Sequence, residues 1–450
     1  MDWIERLNQA VGYIEKNLDS EIDYDEISRI TVSPMALFQR FFVLATGITL
    51  SEYIRRRKLT RALIDLQNTD VKVIDIAFKY GYESSDAFCA AFKRLHGITP
   101  SKAKTVGENL KHYNRVYFTL TVTYVKGDSD MILLNIDNYR YYDPLFEGAR
   151  IILNYMGEKY SPEYILGLSG SVFKIAGGCP SRPTCVCDFW PADFFKFMGY
   201  EVEEYPCVDS EGNDISDRMI ESVKKNIDEG KPVLVWHAFT NEEWDVVCGY
   251  DDEAKHFIGR GTHKGENDYA REPWDRAKTS NIHAFGAVAA VKKNTELNER
   301  EAEIRSLISA VKHARTELTD NQQDWETAGV QFYHQWAEDY SKEGKEKGVA
   351  DEYCYIVYSS VRKAAVIYLR EIAYKFGGGA LENMQYAANC FEKESAELDK
   401  AWQYLGVGSS WGVDEERSKN LAPILKAAAE HYEKGIEYLE KALQSLHIEY

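Results

Sequence analysis

Cys179, Cys185 and Cys187 stand close together in the chain, and His237 follows beyond two predicted helices and a strand. A thiolate beside an imidazole is the nucleophile of peptide hydrolysis and acyl transfer, so this set is the first candidate for covalent chemistry. Nothing in the surrounding pattern supplies activation, and core or loop thiols are the commoner use of cysteine. The C-x5-C-x-C spacing also lacks the paired ends of a zinc ribbon, so no metal and no cofactor is expected. A second group suits recognition. Trp190, Trp236 and Trp244, with His237, Glu243 and Asp245, combine apolar rings with acids, a pairing that fits a cationic, partly aromatic effector. At least half of the wider aromatic set, which adds Phe189, Phe194, Phe195, Phe197 and Trp274, reads as plain core.

These residues need a scaffold, and 450 residues exceed one ordinary core. Hydrophobic residues at 44% and aromatics at 13% are enough to fold it. The start, MDWIERLNQAVGYIEKNLDSE, is amphipathic and acidic, so no signal peptide is expected, and no apolar run approaches the ~20 residues that span a bilayer. A cytoplasmic protein with free thiols and no membrane partner is expected. The net charge of −18 is uneven: residues 1–107 hold 15 Lys+Arg against 14 Asp+Glu, so the remainder carries −19. An acidic remainder serves solubility, disfavours anionic ligands and stays off nucleic acid.

In the first hundred residues Trp3, Leu7, Ala10 and Ile14 recur at helical spacing. A short helix over Asp25–Ile30 follows, then Ser33 as an expected N-cap with Pro34 at the first helical position, opening a helix Met35–Ala45 that stops at Gly47. Leu50–Gln67 reads as a long helix with Leu59, Ala62, Leu63 and Leu66 on one face and Arg55, Arg56, Arg57, Lys58 and Arg61 around it. The pattern then repeats: Val73–Tyr80, Gly81, and a capped helix Ser85–Leu95 ending at Gly97. Two helix-turn-helix units on a stiff helix would meet successive major-groove segments about 34 Å apart.

SPMALFQRFFVLATGITLSEYIRRRKLTRA (33–62) and GYESSDAFCAAFKRLHGITPS (81–101) resemble the two halves of the AraC/XylS family of transcription regulators. The resemblance implies a DNA reader, with double-stranded operator DNA and RNA polymerase as partners. It assigns Ala36, Gln39 and Arg40 to base edges in the first unit, and Ser85, Asp86, Ala87 and Ala90 in the second. Arginine can bind guanine and glutamine adenine in bidentate fashion, whereas the second set reads bases poorly. Phosphate contacts then fall to Lys93 and Arg94, and to Arg55 and Arg56, whose other use is a solvated helix face.

After Lys104 the text alternates, and 116–122 predicts a linker strand or hairpin turning at Gly127-Asp128. Residues 131–294 mix helices (Phe146–Met156, Ser161–Leu168, Asp188–Gly199, Ser216–Glu229) with strands (Tyr200–Tyr205, Pro232–His237, Asp245–Tyr250, Phe257–Gly261, 284–292). GKPVLVWHAF (230–239), EWDVVCGYDDEAKHFIGRG (243–261) and the helix-Gly-SPEYILGLSG arrangement (146–170) resemble the papain-like fold of double-glycine-leader peptidases and of the BtrH-like acyltransferase domain. Enzymes of that fold need a Cys at the first helix start and a His opening the strand before the Gly-Tyr-Asp turn. Here stand Pro144-Leu145-Phe146-Glu147 and Glu243, so the resemblance implies a cleft without its catalytic pair.

From Asn294 onward the pattern is helical: Ser306–Leu318, 320–342, Asp351–Phe376, Ala380–Tyr404 and Asp414–Leu446. This tail either completes the sensor or joins two copies as a homodimer. The expected architecture is multidomain: an all-α tandem helix-turn-helix domain (1–107), a linker (108–130), an α+β papain-like sensor (131–294) and a helical bundle (295–450). The expected function is effector-controlled, sequence-specific DNA binding without enzyme activity. The alternatives are a DNA-tethered cysteine peptidase or acyltransferase using one of Cys179, Cys185 and Cys187 with His237, and a DNA-bound scaffold that needs no small molecule.

Overall fold

A computed structural model describes residues 3–68, 71–104, 113–118, 131–177, 182–262, 269–280, 285–317, 327–342 and 344–449. The chain divides into two units, Met1–Leu120 with Ala373–Glu382, and Thr121–Ile372 with Asn383–Tyr450. In the first, α1 (Trp3–Lys16), α2 (Tyr24–Thr31) and α3 (Met35–Thr46) precede the long α4 (Leu50–Asn68). It is followed by α5 (Val73–Lys79), α6 (Ser85–His96) and the short α7 (Pro100–Ala103). Leu7, Ile14, Ile27, Phe38, Phe42 and Tyr53 close one core, and Leu59, Leu63, Ile76, Phe88 and Phe92 a second. One helix, α4, therefore belongs to both cores and sets the spacing between the two helix-turn-helix units.

Arg57 is diverted from the surface to this purpose. Its Nη2 pairs with Glu15 Oε2 at 2.7 Å, its Nε reaches Oε1 at 2.9 Å, and Tyr53 donates to the same carboxylate at 2.7 Å. Against the cost of burial, Arg57 holds Glu15 below its ordinary range. Two sequence expectations need correction. Pro34, not Ser33, is the N-cap residue of α3, and the Ser33 hydroxyl turns to Thr31 Oγ1 at 3.0 Å. Val116–Phe118 forms no strand: the Asn8 side-chain amide supplies both backbone bonds of Phe118, at 2.8 and 2.9 Å, which a strand partner would otherwise provide. Residues 119–130, including the expected Gly127-Asp128 turn, lie outside the described residues.

The second unit opens with β1 (Met131–Leu133), α8 (Pro144–Tyr155) and α9 (Pro162–Ser169), then a 3-10 turn at Ser171–Phe173. Next come α10 (Arg182–Cys185), α11 (Pro191–Phe197), β2 (Tyr200–Tyr205), α12 (Ser216–Asp228), β3 (Val233–Trp236), β4 (Trp244–Asp251), β5 (His256–Arg260), β6 (Ala270–Pro273) and β7 (Ala287–Lys293). The expected helix start at Asp188 moves to Pro191, because proline favours the first helical position. The strands form one antiparallel sheet in the order β2-β7-β3-β4-β5-β6, and β1 pairs with the far half of β4 where β3 has ended.

The remaining helices are α13 (Glu299–Ala314), α14 (Gly329–Ser341), α15 (Val349–Phe376), α16 (Gly378–Leu405) and α17 (Glu415–Ser445), with a two-stranded ladder of β8 (Glu346–Lys347) and β9 (Gly412–Val413). They grip the irregular backbone after α9. His313 Nε2 lies 2.9 Å from both N and O of Ile175, and burial pushes its pKa down to about 3, so the ring is neutral. Tyr358 bonds N and O of Ala176 at 2.9 and 2.8 Å, and Tyr432 donates to Phe173 O at 2.9 Å. Arg362 donates to the carbonyls of Val172 and Lys174 and pairs with Glu394 at 2.9 Å, both side chains fully buried. Removing one partner of such a pair strands the other charge, at about 3–5 kcal/mol. Glu394→Ala is expected to lose that much in urea unfolding, and a midpoint equal to wild type would show that the pair is dispensable.

Candidate DNA interface and effector site

The helices α3 and α6 have the same length and correspond residue by residue. Phe38, Phe42 and Gly47 match Phe88, Phe92 and Gly97; the phenylalanines are buried, and the glycines end their helices at φ +73° and +78°. What differs is the outer face. Ala36, Gln39 and Arg40 are exposed on α3, and Gln39 and Arg40 have no hydrogen-bond or ion-pair partner among the described residues. On α6, Asp86, Ala87 and Ala90 are exposed and Ser85 is half-buried, while Ser84 caps the helix by accepting from the Ala87 amide at 3.2 Å. Lys93 and Arg94 are exposed where α3 carries Val43 and Leu44. So α3 presents unpartnered hydrogen-bonding side chains and α6 mainly charge.

Arg55 and Arg56 are already engaged. Both bond Glu52, Arg55 through two contacts of 2.8 Å and Arg56 through one of 2.6 Å. Against desolvation, these bonds keep the Glu52 carboxyl below its ordinary range. A DNA phosphate at either arginine has to compete with that carboxylate.

In the second unit the six residues of the expected effector site come together around the β3–β4 turn. Trp236 packs edge-on to Trp244 (5.4 Å) and to Phe285 (4.9 Å), Trp244 stacks on Phe285 (6.0 Å, 16°), and the exposed Trp190 meets Phe285 at 5.2 Å. The Trp236 indole donates to Ser280 Oγ at 3.0 Å, whereas the buried indole N–H of Trp244 has no acceptor among the described residues. His237 takes a left-handed φ of +58°, and its Nδ1 accepts the Glu242 amide at 2.9 Å. Desolvation, then Arg276, lower its pKa, so it is neutral near pH 7.

Glu243 and Asp245 are buried. Glu243 accepts from Tyr353 on α15 and from Thr184 on α10 at 3.4 Å; Asp245 Oδ2 accepts the amides of Phe239 and Thr240 at 2.6 and 2.8 Å. Burial pushes Glu243 up to about 8 and Asp245 up to about 7, and each acid further disfavours ionisation of Glu243's carboxyl, Asp143 included. Asp143 is itself the N-cap of α8, accepting from the Phe146 amide at 2.9 Å, and burial raises it to about 6. Of the cysteines, Cys179 lies outside the described residues and Cys185 is exposed. Desolvation and then Asp143 hold the Cys187 thiol well above its usual range, and its sulfur donates to Pro183 O at 3.1 Å. A protonated thiol is a poor nucleophile.

A family model described as a helix-turn-helix domain matches residues 29–105. The Tn10 transposon TetD protein of Escherichia coli is 38% identical over 95 residues, which cover 21% of this chain and 69% of that protein. The transcriptional activator AarP of Providencia stuartii is likewise 38% identical over 95 residues, covering 70% of its length. The chain belongs to the AraC family of helix-turn-helix transcription regulators. A solved structure of a transcriptional regulator from Chromobacterium violaceum, with an AraC-type DNA-binding domain, shares 25% identity over 22% of this chain and 90% of its own, at a TM-score of 0.22. No helix among the described residues is long and apolar enough to cross a membrane.

In this AraC-family chain the sequence reading missed Asp143, Thr184, Phe285 and Tyr353. Asp143 had a local signal, an aspartate directly before a helix-opening proline. Tyr353 had none, since it reaches Glu243 across 110 positions. The buried acids also set a pH dependence. In the unfolded chain Glu243 titrates near 4.5; below that value it is neutral in both states, and as pH rises toward 8 only the unfolded chain gains the charge, so stability is lost. Glu243→Gln is therefore expected to melt above wild type at pH 8, with the two curves converging at pH 4.5. A gap unchanged by pH would contradict the assignment.

Proposed function

We propose that the protein is a sequence-specific transcription regulator controlled by a small molecule bound in its second unit. Bare Gln39 and Arg40 on α3, beside an α6 with little to read bases, carry the DNA half of this reading. The effector half is supported by the gathering of Trp190, Trp236, His237, Glu243, Trp244 and Asp245, with buried polar atoms left unmet among the described residues. In the same reading residues 1–107 bind DNA, 131–294 form a papain-like sensor joined by 108–130, and 295–450 complete it or pair two copies. What supports the papain-like frame is that the charge of Asp143, at the head of α8, bears on Glu243, at the head of β4, as the two members of a catalytic pair would have to. Carboxyls at those two positions, with Cys187 held protonated, favour binding over catalysis. Effector binding alters promoter affinity by favouring one state of the chain over another. RNA polymerase is the expected partner on DNA, and the cytoplasm the expected compartment.

Arg40→Ala should cost about 1–3 kcal/mol of operator binding and relax preference at one base pair, measured by gel shift against an operator series. Lys93→Ala should weaken all sequences alike and lower the salt slope by about 1. Uniform weakening by Arg40→Ala would remove its base-reading role. Effector control is tested by a thermal-shift screen of the full chain, with each hit then assayed for a change in operator affinity. Control falls if no hit produces one.

A further inference from the structure

Among the described residues three of the four other buried carboxyls hold an arginine: Glu15 has Arg57, Glu147 has Arg150 at 2.7 Å, and Glu394 has Arg362, while Glu303 accepts from Tyr164 at 2.9 Å. Asp143, Glu243 and Asp245 are buried as deeply, yet none has a Lys or Arg within ion-pair distance among the described residues. The second oxygen of Asp245 is buried and unpartnered there as well. Gly261 lets its backbone pass close to this oxygen, for a Cβ there would stand 2.7 Å from Asp245 Oδ1 and 2.6 Å from Thr240 Oγ1. Beside these acids rises the ring wall of Trp236, Trp244 and Phe285, whose faces attract a cation.

We propose that the effector is a protonated amine with an apolar body, its ammonium supplying the missing cation beside Glu243 and Asp245 and its body resting on the Trp236–Trp244–Phe285 wall. This rests on the effector reading above and gives that effector a chemical class. Arg276 lowers Asp245 from beyond ion-pair distance, so an anion would meet three carboxyls against one distant cation. Among the described residues no group of His, Cys, Asp or Glu is poised to hold a metal ion. Facing Glu243 are Asp143 ahead of α8, Thr184 on α10, Asp245 on β4 and Tyr353 on α15. Their combined setting keeps it protonated near pH 7, so capture of an ammonium transfers the Glu243 proton to solvent, and affinity rises with pH up to about 8.

The test titrates the full chain calorimetrically with tyramine, tryptamine and spermidine, and with the carboxylates phloretate and indole-propionate, in buffers of different ionisation enthalpy. Amines should bind with proton release and carboxylates should not. Glu243→Gln should weaken the amines about tenfold or more while melting cooperatively. Asp245→Asn, which keeps an acceptor for the Phe239 and Thr240 amides, should act in the same direction. Carboxylates binding as tightly as amines, no amine binding at millimolar concentration, or amines binding both variants like wild type would overturn the inference. Operator affinity measured in parallel separates it from effector control. Amine binding without a change on DNA upholds the ligand class and removes control; a non-amine that binds here and shifts DNA affinity does the reverse.

Discussion

A backbone that is neither helix nor strand cannot be buried unless something else satisfies its amides and carbonyls. The backbone that leaves the 3-10 turn at Phe173 and runs to Ala176 is such a stretch, and the second unit is organised around it. Partners arrive from α13, α15 and α17, through His313, Arg362, Tyr358 and Tyr432, and Glu394 on α16 completes the set by neutralising the arginine. These side chains come from residues far along the chain. The sheet with its leading helices and the later helices therefore depend on each other for hydrogen bonds as well as for apolar packing.

The proposed effector site inherits this dependence. Glu243 stands at the head of β4, but one of its donors is Tyr353 of α15, so a helix of the later layer fixes an acid of the sheet. Holding three acids in the interior without cations works against stability. Proteins commonly keep such features where a bound partner offsets them, and the cost then becomes part of the binding energy available to that partner.

How much could be read from the sequence followed from the range of each interaction. Helices α3 and α6 announced themselves through residues a few positions apart, with Phe38 and Phe42, Phe88 and Phe92, and a terminal glycine each. Strand β2 was legible to the residue from its own alternation and turns. Ser33 misled because a serine before Pro34 looks like a cap, yet its hydroxyl found Thr31 instead. The stretch at Val116–Phe118 misled because alternation does not reveal whether the partner is a strand or the amide of Asn8. Trp236, Glu243, Trp244 and Asp245 were found because the turn between β3 and β4 brings them together locally. Phe285 and Tyr353 came from other elements, and only folding places them beside that turn.

The unequal outer faces of α3 and α6 bear on what a genome must preserve. If α3 reads bases and α6 mostly grips the backbone, a binding site needs a defined short word under one helix and, one turn of duplex away, little beyond room for a phosphate contact. Information in such a site is concentrated at one end. Promoters could then join or leave the regulator's set through a handful of point mutations, while insertions that shift the second contact around the duplex would be felt at every site alike.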